Sequence, residues 1–501
     1  METTVLILFI FLLFVIFVYS LTQLNLLLNY LKVQKKRGTS EKSDLKITTE
    51  VPFVTIQLPL YNDKPVVERL LRNIAEIEYP RENLEIQVLD DSTDDSVVLT
   101  AGIIEELKNS GLRISHLRRT HRKGFKAGAL KAGLESAKGE FIAIFDSDFL
   151  PRKDWLQQTI PWFRDPCIGV VQTRWGHLNR NYSLLTKLQA FLLDFHFILE
   201  QTGRNSGNHF INFNGTAGIW RKKCILDAGN WEGDTLTEDL DLSYRAQLKG
   251  WKFKYLEEVE TPAELPVTIS AARSQQFRWN KGAAENFQKN YKKLLFDRNV
   301  SAGTKIHSFF HLLNSSLFLL VLLLAILSVP VLFITNGPGN DLFIGIMLFF
   351  SISTLIFFCS YWVTFAKLKG RNWRSFLEFS LLFFTFFSIA MGFSVHNSRA
   401  VLEGHFGKRS EFIRTPKFNL KAKEKILKKE PPKFTFQLLI EISLMLLFAY
   451  AIISAFTLEN YSLLLFHLML FFGFSYVVFT SLNITFWRPN RFPKPVRSGG
   501  K

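Results

Sequence analysis

Carboxylates recur in this chain where a strand-like run hands over to a loop. Leu89 is followed by Asp90-Asp91-Ser92, and Phe145 by Asp146-Ser147-Asp148. A single acidic pair after a strand is often no more than a turn or a helix cap. Two such pairs in one domain point further. Carboxylates one residue apart, as Asp146 and Asp148 are, can converge on a hard cation, which takes oxygen ligands. Thr237-Glu238-Asp239 adds a third acidic group, and a carboxylate in hydrogen-bond reach of a hydroxyl can take its proton during attack. Gln275, Arg278 and Trp279 stand at i, i+3 and i+4 of a helix-like stretch and so share one face. That face offers an amide donor, a guanidinium fork matched to phosphate and an aromatic plate for a sugar ring.

These side chains need a scaffold. Strand-like runs at Val54–Leu58, Glu85–Leu89, Leu112–Ile114 and Phe141–Phe145 alternate with helix-length stretches such as Val66–Ile77 and Ser96–Lys108. The alternation predicts an α/β domain over residues 51–290 built on a parallel sheet covered on both faces. Ligands bind such sheets at the carboxyl ends of their strands, which is where the acidic pairs fall.

The remainder of the chain is of another kind. Of 501 residues, 48% are hydrophobic and 50 are Phe, yet 21% are charged, so the apolar residues are gathered into runs. The runs are Val5–Leu21 (extending towards Leu31), Phe309–Thr335, Leu342–Ala366, Phe376–Val395, Phe436–Phe456 and Leu463–Phe486. A spanning helix needs roughly 20 apolar residues. The first run lacks a charged segment before it and a small-residue cleavage site after it, so it reads as an anchor over residues 1–31 and not as a signal peptide. Lys32, Lys35, Lys36 and Arg37 follow the anchor, and Lys367, Lys369, Arg371 and Arg374 follow the third run. By the positive-inside rule both clusters are cytosolic. The segment 397–435 is also densely basic, and a spanning Phe376–Val395 would force it outside. The charge bias therefore favours five spans, with Phe376–Val395 re-entrant or interfacial within the 305–396 region, over the alternative of six. A hairpin over 436–486 and a cytosolic tail over 487–501 complete the expected layout.

The net charge of +17 suits basic loops beside an anionic membrane. There is no zinc-finger spacing or RNA-binding motif, so nucleic acid is not an expected partner. Cys167, Cys224 and Cys359 are too far apart to form a readable disulfide framework or C-x-x-C metal site. His121, His196 and His209 lack metal-ligand spacing and read as structural or solvent-facing.

The ordered series Asp-Asp, Asp-x-Asp, Thr-Glu-Asp and Gln-x-x-Arg-Trp resembles the processive family-2 glycosyltransferases of the cellulose synthase superfamily. Pro59-Leu60-Tyr61-Asn62, Lys123 to Leu130 and Phe213 to Gly218 extend the match, the last looking closest to the mannan and glucomannan synthase-like branch. The resemblance implies a GT-A fold joined to a transmembrane bundle. It places Tyr61, Asp91 and Lys126 at the nucleoside of a nucleotide sugar, with Asp90 beside it. Asp146 and Asp148 would hold the diphosphate through Mg²⁺ or Mn²⁺, and Asp239 would be the general base. Gln275 and Arg278 would grip the diphosphate and Trp279 would stack under the acceptor. Phe412 to Lys417 resembles the F-x-V-T-x-K gating loop of bacterial cellulose synthases, with Arg414 in place of Val. Thr415 and Lys417 of that motif are retained, and the resemblance implies that they reach the diphosphate.

The implied activity is inverting hexose transfer from UDP-glucose or GDP-mannose to a growing β-glycan, processive and coupled to export. Its setting would be the plasma (inner) membrane, with the catalytic domain cytosolic. An accessory export subunit is left open. The alternative is glycosylation of a membrane lipid, as in ceramide glucosyltransferases.

Overall fold

The computed structural model describes residues 1–37, 51–337, 341–408, 410, 415–417, 419 and 434–482. Phe412, Ile413 and Arg414 of the expected gating loop, most of the basic segment 397–435 and the tail 487–501 lie outside the described residues.

The sheet domain has seven strands: β1 (Val54–Leu60), β2 (Leu84–Asp90), β3 (Ile114–Leu117), β4 (Phe141–Ile144), β5 (Ile168–His177), β6 (Gly218–Arg221) and β7 (Lys252–Ala263). Their spatial order is β3-β2-β1-β4-β6-β5-β7. The first four run parallel, with Val54 beside Leu84 on one side and Phe141 on the other. The expectation of an all-parallel sheet is corrected at β6, which is antiparallel to both β4 and β5. The chain leaves β5 at its carboxyl end and returns to the sheet from that same end, where Ala217 N donates to Ile144 O at 2.9 Å. With no crossover between them, β6 can only run antiparallel.

Both faces of the sheet are covered. Val54, Ile56 and Leu58 pack with Leu70, Leu71 and Ile74, which sit at helical spacing on the Val67–Ala75 helix. Ile142, Ile144 and Trp220 pack with Leu130 of the Phe125–Ser136 helix on the other face. β1 is buried along its whole length, as a central parallel strand must be.

The described residues include six helices long and apolar enough to cross a membrane: Glu2–Lys36, Ala302–Ile334, Asp341–Lys369, Trp373–Gly392, Phe436–Thr457 and Leu464–Ser481. The end of the Asp341–Lys369 helix meets the sheet domain, where Lys367 pairs with Glu257 of β7. At the opposite end of the bundle, Asn460 Nδ2 donates to Leu332 O at 3.1 Å. The Trp373–Gly392 helix packs along the Leu464–Ser481 helix, where Gly473 O leaves no room for a Cβ on Gly392, and it also touches the Leu184–Asp194 helix of the sheet domain. Phe379 and Phe386 meet Phe191 at ring-centroid distances of 6.1 and 5.5 Å, and Ile389 packs with Leu188. The following Ser394–His405 helix packs on the Ile269–Phe296 helix so closely that a Cβ on Gly404 would stand 2.6 Å from Lys281 O. The segment from 373 to 405 therefore touches the sheet domain at both ends.

Candidate active site

The carboxyl ends of β1, β2 and β4 open on one edge, and the acidic groups follow them. Asp90 is the last residue of β2 and is buried. It accepts from Ser92 N at 2.9 Å and bonds His116 Nε2 of β3 at 2.9 Å. Burial pushes its pKa up, but these bonds outweigh that and hold the carboxyl below its usual range. Asp91 accepts a guanidinium fork from Arg119, with Nε on Oδ1 at 2.9 Å and Nη2 on Oδ2. Such two-point pairs are both strong and orientation-specific. Arg119 also donates to Phe125 O at 3.0 Å, tying Asp91 to the start of the helix that carries Lys126. Tyr61, just after β1, has the Arg122 guanidinium 3.3 Å from its ring centroid, a cation–π stack.

Lys126 Nζ bonds Asp146 and donates to Gly215 O at 2.8 Å. Burial alone would lower this ammonium, yet Asp146 and Glu238 raise it overall. Asp146 N donates in turn to Thr216 Oγ1 at 2.9 Å. Gly215 has φ +78°, and a Cβ there would come 2.9 Å from Asp239 Oδ2. Left-handed backbone and close approach both call for glycine. Asp239 thus lies against the Gly215 backbone in the first turn of the Glu238–Leu248 helix. Burial, with the Glu238 charge beside it, pushes its carboxyl up to about 7, opposed by Lys126.

A base with that pKa gains activity as pH rises through neutrality and is saturated above it. Because Glu238 contributes to the elevation, Glu238→Gln is expected to move the acid limb of the kcat/KM profile to lower pH. An unmoved limb would show that another group titrates.

The Thr237-Glu238-Asp239 loop is fastened to the Ile269–Phe296 helix. Asn286 Nδ2 donates to Thr237 O at 3.1 Å and to Thr237 Oγ1 at 2.9 Å, and Leu236 N donates to Glu285 Oε2 at 2.7 Å. A Cβ on Gly282 would meet Thr237 Oγ1 at 2.5 Å. Gln275, Arg278 and Trp279 stand half-buried on that same helix, and Trp279 packs against the core cluster that contains Leu130 and Phe213. The helix with the Gln-x-x-Arg-Trp face therefore also positions Asp239.

Asp148 is buried, and Lys417 Nζ sits 2.7 Å from its Oδ1. Thr415, two residues before Lys417, is buried, and among the described residues its hydroxyl has no hydrogen-bond partner. Here Lys417 engages the second Asp-x-Asp carboxylate. Each carboxylate of that pair thus holds a lysine ammonium, an arrangement of oxygen ligands and replaceable cations that fits a hard metal ion. A separate acidic trio, Glu232, Asp234 and Asp241, could hold a cation by distance alone. Lys289 Nζ fills its centre, at 2.7, 2.8 and 3.1 Å from the three carboxylates.

Sequence reasoning missed Arg119, Arg122 and the His116 contact. The signal was present: β3 runs to Leu117 and not from Leu112 to Ile114, so residues 118–122 directly follow a strand's carboxyl end, where chemistry was sought elsewhere. His196 bonds Glu200 Oε2 at 2.9 Å and lies 3.2 Å from Asn214 Nδ2, while the His209 ring stacks on His307 at 3.9 Å. His121 is exposed, and the three thiols are free.

Residues 52–282 match the family model described as glycosyltransferase like family 2. The probable glucomannan 4-beta-mannosyltransferase 4 of Oryza sativa subsp. japonica is 42% identical over 261 residues, 51% of this chain and 48% of its own. Glucomannan 4-beta-mannosyltransferase 1 of Cyamopsis tetragonoloba is 39% identical over 285 residues, 55% and 54% of the two chains. The chain spans about half the length of the curated relatives it matches. Among solved structures, the mannosyltransferase PcManGT from Pyrobaculum calidifontis, in complex with GDP-Man and Mn²⁺, shares the fold. It aligns over 80% of this chain and 100% of its own, at 19% identity and a TM-score of 0.51. The domain that this family model matches is built on a GT-A-like mixed sheet. Plant glucomannan 4-beta-mannosyltransferases are among the proteins it is similar to.

Proposed function

We propose that this protein is an inverting hexosyltransferase that moves mannose from GDP-mannose to the end of a growing β-glycan, acts processively and passes the product through its own helices. The observation that carries the reading is the joining of Asp239, Gly215, Lys126 and Asp146 in one unbroken set of contacts. A proton acceptor thereby stands next to a diphosphate-binding pair. The names of the relatives favour mannose over glucose.

In this reading the acceptor hydroxyl loses its proton to Asp239 as it attacks the anomeric carbon, and a single displacement inverts that centre. Gln275 and Arg278 take up charge on the departing diphosphate, with Thr415 and Lys417 closing over it. Tyr61 and Asp91 hold the nucleoside, and Trp279 supports the acceptor sugar. Asp146 and Asp148 would hold Mg²⁺ or Mn²⁺, which supplies further positive charge at the leaving group when bound.

The export reading draws on buried polar side chains between the Asn214 segment and the apolar helices. Gln201 Nε2 donates to Asn214 Oδ1 at 2.7 Å, and Arg204 Nη2 bonds Glu200 at 3.2 Å. Among the apolar helices, Tyr19 OH donates to Asn314 Oδ1 at 2.9 Å and accepts from Gln23 Nε2 at 2.9 Å. Such side chains suit a hydroxyl-rich chain. The charge bias of the flanking segments supports an interfacial Trp373–Gly392 helix, five crossings and a catalytic domain on the cytosolic side, where positive charge accumulates.

The test is incubation of the purified full chain with labelled GDP-mannose or UDP-glucose plus Mg²⁺ or Mn²⁺, followed by sizing and β-mannanase digestion. A long mannanase-sensitive product is expected from GDP-mannose. One sugar added to an extractable lipid would overturn the polymer reading.

A further inference from the structure

The Ile269–Phe296 helix has two occupied faces. At about 100° per residue, Gln275, Arg278, Trp279 and Gly282 cluster on the face that meets Thr237. Arg273, Phe277, Lys281 and Ala284 cluster on the opposite face, and that rear face is clamped by helices from the membrane half of the chain.

Arg273 Nη2 lies 3.0 Å from both carboxylate oxygens of Glu441. Glu441 is fully buried in the Phe436–Thr457 helix, and Gln437 Nε2 donates to it at 2.7 Å. His396 Nε2 bonds Arg273 O at 2.9 Å, and the His396 and Phe277 rings lie 5.8 Å apart. About two turns beyond Arg273, Lys281 is fully buried and donates to Lys408 O and Ser410 Oγ, with Glu403 at 3.7 Å.

An ionisable residue inside a helix that is apolar enough to cross a bilayer is costly, which makes a function the default reading. Adhesion alone does not account for it. Apolar residues of similar volume hold a buried interface as well as an ion pair does, and what the pair adds is a defined geometry. Arg273 precedes Gln275 by two residues, so a shift at the pair rotates or slides the Gln-x-x-Arg-Trp face directly. Leu236 and Thr237, which lead into the helical turn carrying Asp239, are pinned to the same helix.

We propose that Arg273 and Glu441 are positioning residues for glycosyl transfer: their buried ion pair fixes the rotation and height of the catalytic helix against the membrane bundle. This rests on the transferase reading above. The pair touches no donor or acceptor; it acts through Gln275, Arg278 and Asp239.

The test uses the purified full-length protein and compares Glu441→Gln, Glu441→Asp, Arg273→Lys and the double variant Arg273→Met with Glu441→Met. Misplacement of reacting groups by about 1 Å costs on the order of 100-fold in rate. Glu441→Gln and Glu441→Asp are therefore expected to lose about 10- to 100-fold in kcat per folded molecule, with a much smaller change in donor KM. Arg273→Lys, which keeps the charge, should recover part of the loss. The double variant should fold, because the unpaired charge is gone, and still turn over slowly. Wild-type kcat in the folded double variant, or in folded Glu441→Gln, would overturn the positioning role. Failure of the unsubstituted protein to transfer any hexose would instead refute the transferase reading.

Discussion

Asp239→Asn is expected to lower hexose transfer by about 10²- to 10⁴-fold, the range that a positioned general base contributes, while leaving nucleotide-sugar binding nearly intact. Asn has the same shape, so it keeps the contact with the Gly215 backbone, where a Cβ would stand 2.9 Å from the Asp239 Oδ2 position. It cannot accept the acceptor's proton. Lys126 retains Asp146 and Gly215 O as partners and stays in place.

The substitution also separates catalysis from folding. The folded-state pKa of Asp239 is raised by burial and by Glu238, so the native state holds that proton more tightly than the unfolded chain does. Its ionisation therefore costs stability as pH rises past the unfolded value. Removing the carboxyl removes that cost, and Tm at pH 8 should be equal or higher. Transfer of labelled sugar, calorimetric binding of the donor and a thermal melt decide the matter together. Transfer within tenfold of the unsubstituted protein would dismiss Asp239 as the base.

Asp146→Asn and Asp148→Asn are each expected to reduce transfer by roughly 10²- to 10³-fold, because charge stabilisation of a departing diphosphate is worth several kcal/mol, and about 1.4 kcal/mol is a factor of ten. The two losses should differ in character. Asp146 also holds Lys126, which is anchored on the Gly215 loop, so Asp146→Asn should disturb the ground around Asp239 as well. Asp148 is paired with Lys417, which comes from outside the sheet domain, so Asp148→Asn releases that contact without loosening the core of the site. Chelation of divalent ions should reproduce the loss in the unsubstituted protein, and Mn²⁺ or Mg²⁺ should reverse it. Undiminished transfer after exhaustive chelation would eliminate a metal role for the pair.

Much of the site was legible because its elements are local. A strand followed by acidic residues, a Gly-rich turn before a helix and three side chains at i, i+3 and i+4 are all patterns within a dozen residues. The helix face of Gln275, Arg278 and Trp279 needs only the α-helical period to be assembled. β3 starts two residues and ends three residues later than its apolar pattern indicates, because Leu112 and Ile114 carry an apolar signal as strong as Ile114 to Leu117 and strand ends are weakly encoded. That displacement hid Arg119 and Arg122, whose positions became meaningful only at the true strand end.

By itself the sequence determined the α/β domain, the apolar helices, the carboxylate series and the clusters of positive charge, all of which depend on periodicity and composition along the chain. The tertiary structure alone decided the antiparallel insertion of β6, the pairing of Lys417 with Asp148, the fork of Arg119 on Asp91 and the seating of Arg273 on Glu441. Each of those joins residues from separate elements. Hydrogen-bonding capacity is the same for every arginine or lysine in the chain, and only packing selects which carboxylate it meets. The Trp373–Gly392 helix shows the same division: its composition made it apolar enough to cross a membrane, and only packing decided that it meets Phe191 and Leu188 of the sheet domain and Gly473 of the Leu464–Ser481 helix.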